Sequence, residues 1–276
     1  MEKIFIEKPL IKIVRTCLIY IPLGLCIVLQ PGCKTSPTEN ELTPIYFDSV
    51  NVGLYIDDPV WPDLKISTRN MVQRLGFAYT VLNNDSILHG DLTKYSVLIL
   101  PGGIGGNYYN NLGWKGLANV RNYVSRGGGY IGICGTGFIA ARTCIWRGWA
   151  GEPRIYQASE PPLHIFQGTA DGPVETFAPT YCEIDCRIKI IDHQHPVSQN
   201  LPDTMAYLYD HGPKFIIDGD DQAVIIGETV KGSHAFIITT EYNYGRVFLS
   251  SGHPEVTNDI NCRKLFENAV RWCSHL

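Results

Sequence analysis

Short apolar runs alternate with amphipathic segments in the first half of the chain. The runs that predict β-strands cover residues 51–56, 77–82, 96–100 and 130–134. Apolar residues at helical spacing predict helices at 64–75 and 114–126, and the glycine-rich residues 101–113 predict an irregular loop. The run at 96–100 does not alternate with polar residues, as is typical of a strand buried on both faces. This order predicts an α/β fold with an open, mainly parallel sheet and helices on both faces.

Beyond residue 160 the pattern changes to strands, followed by one helix. The predicted strands cover residues 186–191, 205–209, 223–227, 235–240 and 246–250. The final helix, predicted at 260–273, has its apolar side formed by Cys262, Phe266, Ala269, Val270 and Cys273. No boundary between domains is evident, so residues 51–276 are predicted to form one domain with extra strands in its C-terminal half.

Residues 1–32 have the pattern of a bacterial export signal. Four basic residues precede a mostly apolar, uncharged stretch at 17–29, which is shorter than the roughly 20 residues that span a bilayer. Gly32 precedes Cys33, and the polar character of residues 33–50 predicts a solvated tether. A small residue before a cysteine resembles a lipoprotein signal, in which the thiol receives diacylglycerol. We expect an exported protein of the cell envelope or periplasm, lipid-anchored at Cys33, with plain signal cleavage and a hydrophobic anchor as open alternatives.

Composition and charge exclude several classes of protein. The chain is 45% hydrophobic, 18% charged and 11% aromatic, which excludes collagen-like, coiled-coil and wholly disordered proteins. Its net charge is −4, and removal of residues 1–32 takes away four bases and two acids, leaving 19 basic and 25 acidic residues, or −6. No run of Lys or Arg forms a basic stripe, so we expect no nucleic-acid partner and no membrane contact beyond the lipid.

The nine cysteines divide by their place in the chain. Cys17 and Cys26 belong to the leader, and Cys33 is the candidate lipidation site. The six in the body are Cys134, Cys144, Cys182, Cys186, Cys262 and Cys273. Export would permit disulfides, and six cysteines leave their pairing open. We favour buried thiols as the interpretation. Since no second pair of ligands lies at a zinc-like spacing from Cys182 and Cys186, we expect no metal, and we expect no cofactor.

Candidate chemistry lies where the predicted strands end, because functional groups in open α/β sheets gather at the carboxyl ends of strands. Cys134 ends the fourth strand, with Gly132 before it and Gly135 and Gly137 after it. Glycines permit a strained strand-to-helix turn that lifts a nucleophile out of the sheet, and the following helix N-terminus favours a thiolate. The alternative is a cysteine that simply packs as a small hydrophobe.

Two other strand ends complete the candidate site. The last strand leads into His253 and Glu255, which can act as a base and as the carboxylate that orients it. The third strand leads into Gly102 and Gly103, whose unobstructed N–H groups suit an oxyanion hole, with a flexible loop as the alternative. Aromatic residues that could either recognise a ligand or pack are Trp61, Tyr108, Tyr109, Trp146 and Trp149.

These residues together resemble the class I glutamine amidotransferase-like superfamily, in which a cysteine on a G-x-C-x-G turn works with a distant H-x-E. One stretch, VRNYVSRGGGYIGICGTGFIAA (120–141), most resembles one branch of this superfamily. That branch is the N-terminal domain of biotin–protein ligases, together with its free-standing bacterial forms. Similar blocks read LILPGG (98–103), FQGTADGPV (166–174), YLYDHGPKF (207–215) and YGRVFLSSGHPE (244–255). The resemblance covers about residues 51–273.

The resemblance implies a flavodoxin-like sheet, with Cys134 as nucleophile, His253 as base, Glu255 as its partner, and backbone amides near Gly103 and Gly135 as the oxyanion hole. It further implies a cysteine-dependent amidase or hydrolase acting on a small amide or ester. The alternative is a non-catalytic module that binds a small-molecule ligand in the same pocket. One departure is Thr136, which stands where the family usually has glycine, and its branched Cβ is expected to crowd the turn.

Overall fold

A large mixed sheet carries most of the chain's strands. The computed structural model describes residues 42–148, 154–156, 163–177, 184–219 and 222–276. The helices are α1 (Pro62–Arg74), α2 (Asn84–His89), α3 (Gly105–Ser125), α4 (Gly135–Ala140) and α5 (Ile260–Cys273). The strands are β1 (Asn51–Tyr55), β2 (Ala78–Leu82), β3 (Val97–Leu100), β4 (Gly129–Ile133), β5 (Ala141–Trp146), β6 (Arg154–Tyr156), β7 (Phe166–Gly172), β8 (Ile184–Ile190), β9 (Thr204–Tyr209), β10 (Lys214–Ile216), β11 (Val224–Thr229), β12 (Ala235–Tyr242) and β13 (Gly245–Ser250).

Among the described residues, nine strands form the main sheet in the order β2-β1-β3-β4-β13-β12-β11-β8-β9. The first five of these strands are parallel, and every later neighbour pairs antiparallel. The expectation of an α/β fold with extra C-terminal strands is confirmed. The expectation of a mainly parallel sheet holds only for the first five strands, because the C-terminal strands extend the same sheet through hairpin-type antiparallel pairing.

A second sheet of four strands, in the order β10-β7-β5-β6, was not predicted as a separate layer. Its strands are short or polar, as in the β7 sequence FQGTADG, so they lack the apolar run that made the main strands recognisable. This sheet contributes Phe166, Ala170 and Phe215 to the same hydrophobic cluster as α3. It therefore adds a layer over one face of the main sheet.

Alternation along β3 shows that both faces of the main sheet are covered. Val97 and Ile99 belong to one hydrophobic cluster, while Leu98 and Leu100 belong to another. The first cluster includes residues of α1 and α5, and the second includes residues of α2, α3 and α4. All four β3 side chains are fully buried, as the unbroken apolar run predicts.

The glycine-rich stretch 101–113 corrects one prediction. The structure continues helix α3 back to Gly105, with a kink at Gly113, whose φ of 57° and ψ of −175° are not helical. Buried Tyr108 and Leu112 anchor this first part of the helix, so packing outweighs the low helix propensity of glycine. The second part follows the predicted pattern, since Leu117, Val120 and Val124 are all buried.

The N-terminal predictions lie mostly outside the described residues. The proposed signal and Cys33 are among them, and nothing in the structure describes those positions. Residues 42–50, the last part of the predicted tether, contain no helix or strand, yet the Ile45 N–H donates to the Arg126 carbonyl oxygen at 2.6 Å. Within the described ranges, no helix is both long enough and apolar enough to cross a bilayer.

Candidate active site

Cys134 occupies the turn between β4 and α4. Its backbone has φ 54° and ψ −111°, a region that side-chain-bearing residues rarely adopt and that is costly unless the surroundings enforce it. The Cys134 N–H donates to the Ser250 carbonyl oxygen at 2.8 Å, which ties the turn to the end of β13. The strained strand-to-helix turn expected from the sequence is therefore present.

Gly135 and Thr136, which directly follow Cys134, hold this turn in place. A Cβ on Gly135 would lie 1.9 Å from the Gly103 carbonyl oxygen, so only glycine fits where the turn passes the end of β3. The Thr136 hydroxyl accepts from the Ile133 N–H at 2.7 Å and donates to the Leu100 carbonyl oxygen at 2.6 Å. The expectation that Thr136 crowds the turn is wrong, because its buried side chain fits there and links the turn to the end of β4 and to the end of β3.

His253 and Glu255 follow β13, the strand beside β4. The His253 Nδ1 lies 2.8 Å from the Glu255 Oε1, and both side chains are almost completely buried. The His253 N–H donates to the Leu208 carbonyl oxygen at 2.9 Å, and the Thr257 hydroxyl donates to the His253 carbonyl oxygen at 2.9 Å. The backbone of this loop is thus fixed on both sides of the imidazole.

The surroundings of His253 favour its protonated form. Burial lowers the pKa of the imidazole, but the charge of Glu255, the charge of Cys134 and hydrogen bonding to both groups raise it more, so the pKa lies well above its usual value. Among the described residues, the Nε2 atom has no hydrogen bond of standard geometry. Cys134 therefore acts with Glu255 on the pKa of the imidazole as a whole.

Gly102 shows how closely the two side chains approach. A Cβ built on Gly102 would lie 2.7 Å from the His253 Cε1 and 3.4 Å from the Cys134 Cβ. The end of β3 therefore contacts both Cys134 and His253, and the structure brings together the three strand ends that the sequence singled out. Gly103 forms an isolated antiparallel bridge with Val60, and the Gly135 N–H, at the start of α4, has no intrahelical acceptor.

The Cys134 sulfur is only slightly accessible. Cys134 is 3% exposed, and its thiol donates to the Asp210 carbonyl oxygen at 3.1 Å. The segment 207–215 was not predicted to belong to the site, although the turn DHGP (210–213) after β9 was a signal that could have placed it there. In this conformation the thiol proton points to a carbonyl oxygen instead of the imidazole.

The remaining cysteines differ from Cys134. Free thiols are present at Cys144, Cys262 and Cys273, and Cys182 lies outside the described residues. Burial, with a nearby carboxylate, raises the pKa of Cys144 to about 12 and that of Cys262 to about 12. Since reactivity requires the thiolate, these two thiols are held in their inert form at neutral pH.

The predicted aromatic residues have mixed positions. Tyr108 is fully buried and its hydroxyl donates to the Pro101 carbonyl oxygen at 2.7 Å, so it packs and does not recognise a ligand. Trp61 and Tyr109 are half-buried against the core, Trp146 packs edge-on against Phe138 at 5.5 Å, and Trp149 is outside the described residues. Within the described ranges, no cluster of three or more His, Cys, Asp or Glu residues could hold a metal ion.

Comparison with known proteins agrees with this architecture. Residues 64–271 match the family described as biotin-protein ligase, N-terminal. An uncharacterized protein of Chlamydia muridarum (strain MoPn / Nigg) is 25% identical over 230 residues, which cover 79% of this chain and 84% of that protein. Two solved structures show the same fold. A glutamine amidotransferase has a TM-score of 0.56 and 17% identity, over 82% of this chain and 99% of its own. A glutamine amidotransferase of Thermotoga maritima has a TM-score of 0.53 and 11% identity, again over 82% and 99%.

Replacement of Thr136 tests the hydrogen bonds that hold the turn at Cys134. Thr136→Val keeps the shape but leaves the buried Leu100 carbonyl oxygen and Ile133 N–H without their partner, and we expect a loss of about 1–3 kcal/mol in the free energy of unfolding. Thr136→Ser keeps both hydrogen bonds and should lose less. Urea unfolding of both variants measures this difference. Equal losses would show that the hydroxyl does not stabilise the turn.

Replacement of Glu255 tests the charge on His253. Glu255→Gln removes the largest influence that raises the pKa of the imidazole and leaves burial to lower it, so the pKa of His253 should fall in the variant. Nitrogen NMR of the His253 ring reads its protonation directly. Glu267→Gln, which removes a carboxylate from the outer part of α5, is the control and should leave the titration unchanged. A His253 titration unaffected by Glu255→Gln would contradict the assigned cause.

Proposed function

Because the chain belongs to the biotin-protein ligase N-terminal family, and its fold is that of amidotransferase-like proteins, we propose that it is a cysteine-dependent amidase or hydrolase of small amides or esters. The observation that supports this proposal is the convergence of a strained, buried cysteine with a His–Glu pair. The His253 Nδ1 is bonded to Glu255, so its Nε2 is the nitrogen directed to the thiol. This order of groups is that of a cysteine nucleophile with an oriented base.

The first half of the proposed reaction forms a thioester. The raised pKa of the imidazole favours transfer of the Cys134 thiol proton to the His253 Nε2, and in this thiolate–imidazolium pair the sulfur attacks the substrate carbonyl carbon. Negative charge develops on the carbonyl oxygen, where the Gly135 N–H and the backbone near Gly103 are positioned to stabilise it. The bond to the leaving nitrogen or oxygen then breaks, and His253 returns the proton to that leaving group.

The second half releases the acyl group. His253 takes a proton from water, the resulting hydroxide attacks the thioester carbonyl, and the carbon–sulfur bond breaks. The proton on His253 then restores the thiol, so no other reactant is consumed. Glu255 stays ionised throughout and stabilises the imidazolium that forms twice in each cycle.

Burial of the site limits the substrate. With 3% of Cys134 and 1% of His253 exposed, a large acyl group cannot reach the sulfur in this conformation. We propose that the substrate presents a small, unbranched carbonyl group. The Asp210 carbonyl oxygen, which accepts the thiol proton in this structure, must lose that bond when a substrate arrives.

The wider proposal concerns the protein's location and architecture. We propose that the protein is exported and lipid-anchored at Cys33, which is supported by the N-terminal pattern of bases, apolar residues and a small residue before the cysteine. The five parallel strands in the order β2-β1-β3-β4-β13 support a flavodoxin-like arrangement of the parallel part of the main sheet.

One observation favours a second function, a non-catalytic ligand-binding module. The thiol donates to the Asp210 carbonyl oxygen, and a carbonyl acceptor stabilises the thiol over the thiolate. If this contact persists when a ligand is bound, the pocket would hold the ligand without attacking it. The reactivity of the thiol separates the two functions.

Alkylation with iodoacetamide tests the proposed nucleophile, with the modified cysteine identified by peptide mass spectrometry. At pH 7 we expect Cys134 to react at least about tenfold faster in the wild type than in His253→Ala, because the imidazolium stabilises the thiolate. Cys144 is the internal control, since its raised pKa keeps it protonated and slow to react.

A Cys134 rate that is equal in the wild type and in His253→Ala would favour the binding module. Equal labelling of Cys134 and Cys144 would have the same meaning. Circular dichroism of both proteins verifies that the variant is folded before the rates are compared.

A further inference from the structure

A polar cavity that is lined in part by Glu255 lies beside the candidate site. It has a volume of about 260 Å³ and lies between α1, the loop after Glu255 and the start of α5. The polar residues that line it include Ser67, Asn70, Arg74, Glu255, Asn258 and Arg263, together with Thr257. The α1 residues at positions 67, 70 and 74 recur at helical spacing, so they present one continuous face to this cavity.

Two of the residues that line this cavity each have one buried side-chain atom without a hydrogen-bond partner among the described residues. The Arg263 Nε is a buried donor and the Glu255 Oε2 is a buried acceptor, and neither has a hydrogen bond among the described residues. The Glu255 side chain is completely buried, and its other oxygen is held by His253. Buried polar groups nearly always have hydrogen-bond partners. A donor and an acceptor without partners on residues that line one cavity therefore indicate a bound group that supplies both an acceptor and a donor.

The charges define the class of that group. Neither Arg74 nor Arg263 forms an ion pair with any described carboxylate. Two unpaired guanidinium groups and two amides can each donate to an oxyanion. Glu255 in turn needs a donor, so a fully deprotonated anion would be repelled by its free oxygen.

We propose that this cavity binds a small oxyanion that carries an O–H group, of which hydrogen phosphate is the simplest. The oxyanion accepts from Arg74 and Arg263, and its O–H donates to the Glu255 Oε2. Binding adds a contact to the carboxylate that orients His253, so the cavity shares one residue with the candidate site. The proposal does not require turnover at Cys134.

Isothermal titration calorimetry with inorganic phosphate at pH 6.5 tests this site, and sulfate serves as the matched anion without a proton to donate. We expect saturable phosphate binding, with sulfate at least about tenfold weaker, because it leaves Glu255 unpaired and repelled. Arg263→Gln and Arg74→Gln should each weaken phosphate binding about tenfold or more, since each removes a charge-assisted contact.

The control is Arg69→Gln, which removes the same charge from an exposed position of α1 outside the cavity. Phosphate should bind to this variant as it does to the wild type. Arg74 is also exposed, so its variant should fold even if Arg263→Gln does not. No phosphate binding, equal binding of sulfate, or unchanged binding in Arg74→Gln would each overturn the proposal, whether or not Cys134 proves to be a nucleophile.

Discussion

The candidate site depends on the pairing of β4 with β13. These two strands are parallel neighbours from Val247 opposite Tyr130 to Ser250 opposite Ile133, and the ladder ends with the Cys134 N–H bonded to the Ser250 carbonyl oxygen. Because parallel strands end at the same edge of a sheet, the cysteine after one and the histidine after the other must meet. A shift of register by one residue would turn the side chains to opposite faces and separate them.

The tightness of this edge explains both its geometry and its burial. Gly135 and Gly102 are required because any side chain would overlap the Gly103 carbonyl oxygen or the His253 ring. The unusual backbone of Cys134 is held by the contacts of Thr136 on either side of it. The same packing that enforces the turn leaves little of the sulfur exposed, which restricts the proposed chemistry to small carbonyl groups.

Much of this arrangement could be predicted from the sequence, since β3 and β4 are apolar runs followed closely by Gly102 and Cys134, and the apolar part of β13 is followed by His253. Helix α5 was predicted with the bounds that the structure shows, because its apolar side is complete. The small sheet was missed, since polar strands such as β7 are stabilised by neighbours far away in sequence. The role of Thr136 was wrongly predicted for a similar reason. Crowding by a branched Cβ can be judged from the neighbouring residues in the sequence. The hydrogen bond that accommodates the Thr136 side chain is made to Leu100 of β3, which is distant in sequence.

In the proposed reaction, Cys134 accepts an acyl group from the substrate and then releases it to water with the help of His253. The most direct measurement is intact-protein mass spectrometry during reaction with a small activated ester such as p-nitrophenyl acetate. If this proposal is right, one acetyl group appears rapidly on Cys134 and is then lost by hydrolysis. In His253→Ala the acetyl group should be lost more slowly. An unmodified Cys134, or an acetyl adduct that persists equally in both proteins, would contradict it.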